Sequence, residues 1–246
     1  MSPRPHPLHV SPPRPCPYLD GRTERVIATE LGGGDAHALY DAGIRAGFRR
    51  SHNFMYRPAC PDCNACRPVR VRVRDFAPSR SFARVSRVNR DVRAETGPAR
   101  ATNEQYRLFA RYQAERHPGG GMDRMSFIDY RAMMENSPVA TMMTEFHGPE
   151  GDLLAVMLAD QVSDGLSAVY SFFDPGRPRA ALGTFMIVWL IGETARRGLD
   201  YLYLGYWIEG CAKMDYKSRF QPLEALSPAG WAPLAEAHGT PVAETV

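Results

Sequence analysis

The chain has 246 residues, 44% hydrophobic and 23% charged, with a formal net charge of +3. That size and balance suit one large globular domain or two small ones, and no apolar run reaches the roughly 18 residues of a membrane helix. The opening residues are rich in Pro and Arg and lack the apolar core of a signal peptide, so a cytoplasmic protein with no membrane partner is expected.

Residues 1–15 hold six prolines and read as a flexible arm. Asp35 is placed to cap a helix over 36–46, ended by Gly47. A strand is expected over 48–56. Cys60, Cys63 and Cys66 follow as C-x-x-C-x-x-C in a tight loop, which in a cytosolic protein suggests metal or redox chemistry before disulfides. Over 69–74 valine and arginine alternate strictly, as in a strand with one buried and one cationic face. A helix over 81–93 would put Arg84, Arg87 and Arg90 on one side, and Gly97-Pro98 marks a break. Between Arg67 and Arg100 ten arginines stand against Asp75, Asp91 and Glu95. Such an excess suits a polyanion such as RNA, or a solvated arginine-rich surface.

Asn103 opens a helix carrying Tyr106, Phe109 and Tyr112, which stops near His117 before a mobile loop containing Gly119-Gly120-Gly121. Ser126 caps a helix over 127–135. Strands over 141–147, 153–162 and 166–173 come next, the last two joined by a hairpin at Ser163-Asp164-Gly165. A helix over 183–197 and a strand over 201–207 complete the pattern. Beyond Pro222 the chain repeats Pro and Ala and reads as loosely packed. The order β-β-β-α-β is that of acetyltransferase-like (GNAT-like) mixed sheets. The expected fold is therefore α+β: a cysteine-containing N-terminal region over 16–98, packed on a GNAT-like domain over 99–246.

Specific strings carry a resemblance. They include Cys16-Pro17-Tyr18-Leu19 with Arg22-Thr23-Glu24, Gly47-Phe48-Arg49-Arg50-Ser51 with Tyr56-Arg57-Pro58, and Tyr170-Ser171-Phe172-Phe173-Asp174-Pro175. The longest runs from Leu204 through Gly205-Tyr206-Trp207-Ile208-Glu209-Gly210-Cys211 to Lys213-Met214-Asp215-Tyr216-Lys217. Together and in this order they resemble the arginyl- and leucyl-tRNA–protein transferases. The short length and Ile208-Glu209-Gly210 resemble the bacterial leucyltransferase branch. The resemblance implies transfer of leucine from Leu-tRNA to proteins with an N-terminal Asp or Glu, in an N-degron pathway.

Acyl transfer from a tRNA ester to an α-amine needs positioning and oxyanion stabilisation more than a strong base, and no cofactor. For the acidic acceptor, Arg49, Arg50 and Arg57 are the candidate ligands, since guanidinium matches carboxylate. Ordinary surface salt bridging is the alternative for each. Tyr56, Tyr170 and Asp174 are further substrate candidates from the matching strings. Arg177 and Arg179, with the backbone of Gly183 and Thr184 at a helix start, are candidates for the terminal phosphates of tRNA. Tyr206 and Trp207 either stack on the terminal adenine or belong to a strand core. Lysine occurs only at Lys213 and Lys217, and a helix would align both with Tyr216. Lys213 and Lys217 would then neutralise phosphate or oxyanion, and Tyr216, with Tyr206 beside it, would handle the proton of the leaving oxygen. Cys211 is expected to pack, not to act as a nucleophile.

Cys16, Cys60, Cys63 and Cys66 form a candidate Zn or Fe–S site, with reduced thiols in a tight loop as the alternative. Three further functions stay open on sequence. An arginyl-tRNA donor would need a carboxylate such as Asp174, Glu209 or Asp215, where leucine would need an apolar setting around Phe185, Ile208 and Met214. An acetyl-CoA-dependent N-acetyltransferase fits the fold pattern. A metal-stapled RNA-binding module fits the cysteines and arginines.

Overall fold

The computed structural model describes residues 6–237, and residues 1–5 and 238–246 lie outside the described residues. The chain begins β1 (His9–Val10), β2 (Arg14–Pro15), β3 (Thr23–Glu24), β4 (Val26–Glu30), α1 (Ala36–Arg45), β5 (Arg49–Ser51), β6 (Phe54–Pro58) and β7 (Arg67–Arg72). It continues α2 (Arg80–Val88), β8 (Arg93–Pro98), α3 (Asn103–Arg116), α4 (Phe127–Glu135), β9 (Thr141–His147), β10 (Leu153–Val162) and β11 (Gly165–Phe173). Then come α5 (Leu182–Arg196), β12 (Tyr201–Trp207), β13 (Leu223–Ser227), β14 (Gly230–Pro233) and α6 (Leu234–Ala237).

An eight-stranded sheet in the order β14-β13-β7-β12-β11-β10-β9-β8 dominates the fold. Toward its β8 edge lies the expected meander β9-β10-β11, followed in sequence by α5 and the strand β12 parallel to β11. β10 reads Leu-Leu-Ala-Val-Met-Leu-Ala because both its faces are covered. Ala155, Met157 and Ala159 join the cluster under α5, while Val156 and Leu158 join the cluster under α3 and α4. A four-stranded sheet, β1-β4-β6-β5, packs with α1 around Tyr40, Met55, Val162 and Tyr203. β7 and β8, which precede residue 99, are strands of the large sheet.

Several expectations are corrected. The strand over 48–56 is a hairpin, with β5 and β6 joined at His52-Asn53 and His52 at φ 55°. Asp35 makes no cap hydrogen bond, and its carboxylate lies 3.1 Å from His6. The helix over 81–93 stops at Val88, where the Asn89 side chain donates to the carbonyls of Val85 and Ala180. Gly97-Pro98 then fits in β8 because an outermost strand tolerates a missing N–H. Within the arm, residues 9–10 and 14–15 pair with β4 and β3.

β7 does not carry an open cationic face. Arg70 is buried, its Nε 2.8 Å from Glu224 and its guanidinium 3.5 Å from the Tyr201 ring centroid and 4.4 Å from that of Trp231. As far as Ala237, where the described residues end, the segment after Pro222 is not loose either. β13 pairs with the remaining edge of β7, and Leu223 and Ala225 enter the core. Short apolar segments between prolines look weak in sequence, but an open strand edge supplies the hydrogen bonds that order them.

Candidate active site

β11 and β12 pair only at Gly165–Tyr201, Leu166–Leu202 and Ser167–Tyr203. Beyond these, each strand carries a bulge. Val169 is skipped in the pairing of β11 with β10, and Leu204 in the pairing of β12 with β7. Bulges bend a strand and strengthen its twist, and here the two strands part. The gap exposes main-chain carbonyls, and Arg49 from β5 fills it. Arg49 Nη2 donates to the carbonyls of Ala168 (2.9 Å) and Val169 (3.0 Å), and Nη1 to that of Leu204 (3.4 Å). Gly205, at φ +74°, flanks the guanidinium so closely that a Cβ there would overlap Arg49 Nη1.

Lys217 closes the floor of the gap. It is buried, donating from Nζ to the Tyr206 carbonyl at 2.6 Å and lying 3.3 Å from Met214 Sδ. Burial, and next the charge of Arg49, pull its pKa down to about 7. Tyr206 is buried too, and its single hydroxyl proton is shared between the carbonyls of Gly47 (3.0 Å) and Tyr56 (3.1 Å). Burial raises its pKa, so it is a poor proton donor.

The C-terminal end of α3 forms the rim. The Gln113 amide donates to the Tyr170 hydroxyl, whose pKa burial raises. Tyr112 packs edge-on against Phe173, and its hydroxyl meets His117 Nε2 at 3.2 Å. Burial, with Arg116 and Lys213 next, lowers the pKa of His117, which sets Lys213 beside this rim. Tyr112 and His117 belong to the helix expected from sequence but had no site role there, and Gln113 was not singled out. Their signal was the polar turn at the end of an otherwise apolar helical face, directly before the glycine run.

A second cleft of about 950 Å³ lies beyond Tyr206 and Tyr56. It is lined by Cys16, Cys60, Cys63 and Cys66, none in a disulfide. Burial first, then the other three thiols, push Cys66 up to about 12. Four thiols are the right donor type for Zn or iron–sulfur chemistry. Among the described residues, however, no three His, Cys, Asp or Glu side chains are gathered to hold one ion.

A family model for the C-terminal part of arginine-tRNA-protein transferases matches residues 104–227, and the model for the N-terminal part matches residues 14–84. The aspartate/glutamate leucyltransferase of Paramagnetospirillum magneticum is 53% identical, over 96% of this chain and 97% of that protein. The chain belongs to the arginine-tRNA-protein transferase family. The protein of the same name from Rhodospirillum rubrum is 52% identical, over 93% of each chain. Among solved structures, L-PGS from Bacillus licheniformis has a TM-score of 0.44 at 10% identity, covering 63% of this chain and 52% of that one.

The family sets the reaction class: an aminoacyl group passes from tRNA to a protein. For this transferase the divergence of β11 and β12 gathers Arg49, Tyr206 and Lys217, with Tyr216 reaching the field of Arg49 from the exposed side. Other candidates lie elsewhere. Arg50 points the opposite way from Arg49, as strand neighbours must, and makes a buried two-pronged pair with Asp160 at 2.7 and 2.8 Å. Arg50 is therefore a core ion pair and not an acceptor ligand. Arg57 stands outside the gap, over the Phe48 ring and 3.3 Å from the Ala46 carbonyl, with Tyr56 lining the cysteine cleft.

Trp207 is core beneath α5, which removes it as an adenine platform. Tyr206 is likewise too buried to stack on a base. Lys213, Tyr216 and Lys217 do not share a helical face. Asp215–Arg219 is a 3-10 turn in which Lys217 points inward and Tyr216 outward, with Lys213 exposed before it. Phe185 and Ile208 belong to the interior, leaving Met214 half-buried. Asp174 is held by Arg111 (3.1 Å) and Arg177 (3.5 Å), and Arg177 also pairs with Asp152 (2.7 Å). Arg179 is exposed beside the start of α5, where Ala181 provides no side-chain cap above Gly183 and Thr184. Cys211 is buried, its sulfur 3.9 Å from the Tyr18 carbonyl.

Proposed function

We propose that this transferase moves leucine from Leu-tRNA to the N-terminal Asp or Glu of cytoplasmic proteins. What carries the reading is the identity of 53% and 52%, across nearly the whole chain, to proteins named aspartate/glutamate leucyltransferase. The cationic gap between β11 and β12 supports it. In this reading the acceptor's neutral α-amine attacks the ester carbonyl above the gap. The new C–N bond replaces the C–O bond to the ribose 3′-oxygen, which leaves with the proton the amine loses. Arg49 and Lys213 supply the field for the oxyanion and for the acceptor carboxylate. Tyr216 and Tyr170 line the approach. Gly183, Thr184 and Arg179 meet the tRNA end.

An arginine donor is the second reading, favoured by the description of the matching family model. Against it stands Asp174, already paired with two arginines and so not free for an arginyl side chain. Offering Leu-tRNA, Arg-tRNA and acetyl-CoA with Asp-, Glu- and Ala-initiated peptides separates these readings. Absence of transfer from Leu-tRNA to the Asp peptide would sink the first. The transfer itself calls for no cofactor. Zn or Fe–S at the four thiols is a separate proposal, and metal analysis of anaerobically purified protein tests it.

A further inference from the structure

The ten arginines between Arg67 and Arg100 are sorted by the fold. Arg70 is buried on Glu224, Arg72 pairs with Asp75, Arg74 with Asp200 and Arg90 with Asp91. On α2 the pattern differs. Phe82 and Val85 face inward, Phe82 stacking on Phe220 at 4.8 Å between centroids. At 100° per residue, Arg80, Arg84 and Arg87 fall on the opposite stripe. All three are exposed, and among the described residues none has an ion-pair partner.

Both ends of α2 are tied to segments that flank the gap. At the N-terminal end Arg219 lies over Phe82 and 3.4 Å from Ser81, and it is the last residue of the turn that carries Lys217. At the C-terminal end the buried Asn89 amide donates to the Ala180 carbonyl at 2.7 Å, in the turn that starts α5. The cationic stripe is thus held, through both ends of α2, next to the two segments that the proposed reading gives to the tRNA end and the transfer site.

We infer that Arg80, Arg84 and Arg87 form a docking stripe for the phosphate backbone of the tRNA acceptor stem. The inference rests on aminoacyl-tRNA being the donor. From Arg80 to Arg87 the stripe rises about 10 Å along the helix, enough to meet more than one phosphate of a strand. Arginine contacts to phosphate position a helix without reading its sequence, so the stripe sets affinity and leaves donor choice to the transfer site.

The test compares wild type with the triple variant Arg80→Gln, Arg84→Gln, Arg87→Gln. The donors are leucyl-tRNA and a leucylated four-nucleotide fragment ending in CCA, which has no stem. For leucyl-tRNA the variant's KM rises about tenfold or more, and the slope of log KM against log salt flattens by about 2 to 3, near one unit per lost phosphate. Its kcat, its KM for the peptide and its KM for the short fragment stay at wild-type values. A lysine version of the three substitutions restores the salt slope, and an unchanged thermal midpoint shows that the fold is intact. Wild-type KM and salt slope for leucyl-tRNA in the glutamine variant would overturn the inference. So would an equal rise in KM for the fragment, or loss of binding to anionic vesicles with tRNA kinetics unaltered. Failure of wild-type enzyme to use either RNA donor is a different result: it removes the donor reading and the inference with it.

Discussion

The guanidinium of Arg49 occupies the space that a side chain at Gly205 would need. Three carbonyls left unpaired by the parting of β11 and β12 therefore depend on one glycine and one arginine from distant parts of the chain. Gly205→Ala is expected to cost about 1–3 kcal/mol from the positive φ alone. It should also lower kcat/KM by about tenfold or more, because Arg49 must leave the floor of the gap. Urea unfolding and steady-state transfer measure the two effects. A variant with wild-type kinetics would show that Arg49 has no part in the transfer site.

Arg50 and Asp160 form a buried pair that Thr141 also supports, at 2.6 Å from Asp160 Oδ1. Removing one partner strands the other charge, so Arg50→Met should lose about 3–5 kcal/mol in denaturant unfolding. At a temperature where the variant is still folded, its KM for an Asp-initiated peptide should equal the wild-type value. A rise in that KM would return Arg50 to the acceptor site.

Lys217 gives a pH signature. Its folded pKa of about 7 lies below its ordinary 10.5. Between those values the unfolded chain holds a proton that the folded chain lacks, so stability rises with pH across that window and is flat below it on account of this group. Lys217→Met should remove this rise. Thermal unfolding of both proteins from pH 6 to 10 provides the comparison, and parallel curves would contradict the burial-driven shift.

Cys211→Ser should leave the transfer rate within about twofold of wild type, since a buried sulfur facing a carbonyl serves packing. Loss of transfer, with an aminoacyl thioester trapped on the wild-type protein, would instead identify a covalent intermediate.

Sequence pattern located the β-β-β-α-β core almost residue for residue, because the hairpin turn at Ser163-Asp164-Gly165 is a local signal and the long apolar runs of β10 and α5 are local consequences of which faces are covered. Ser126 was legible as a cap for the same reason, its partner Asp129 standing three residues away. The expected row of Arg84, Arg87 and Arg90 held only in part, since Arg90 lies past the end of α2 and Arg80 joins the stripe instead. What neighbours in sequence could not reveal was which arginine was already used. Arg49 and Arg50 are adjacent and chemically identical, yet strand geometry sends one to the carbonyls of β11 and β12 and the other to Asp160, 110 residues away. Lys217 and Tyr206 likewise gained their character from burial beneath segments distant in the chain. The order of the elements was therefore set by patterns only a few residues long. The assignment of each charge waited for the tertiary structure, because a charge is spent or left free by the partner that folding brings to it.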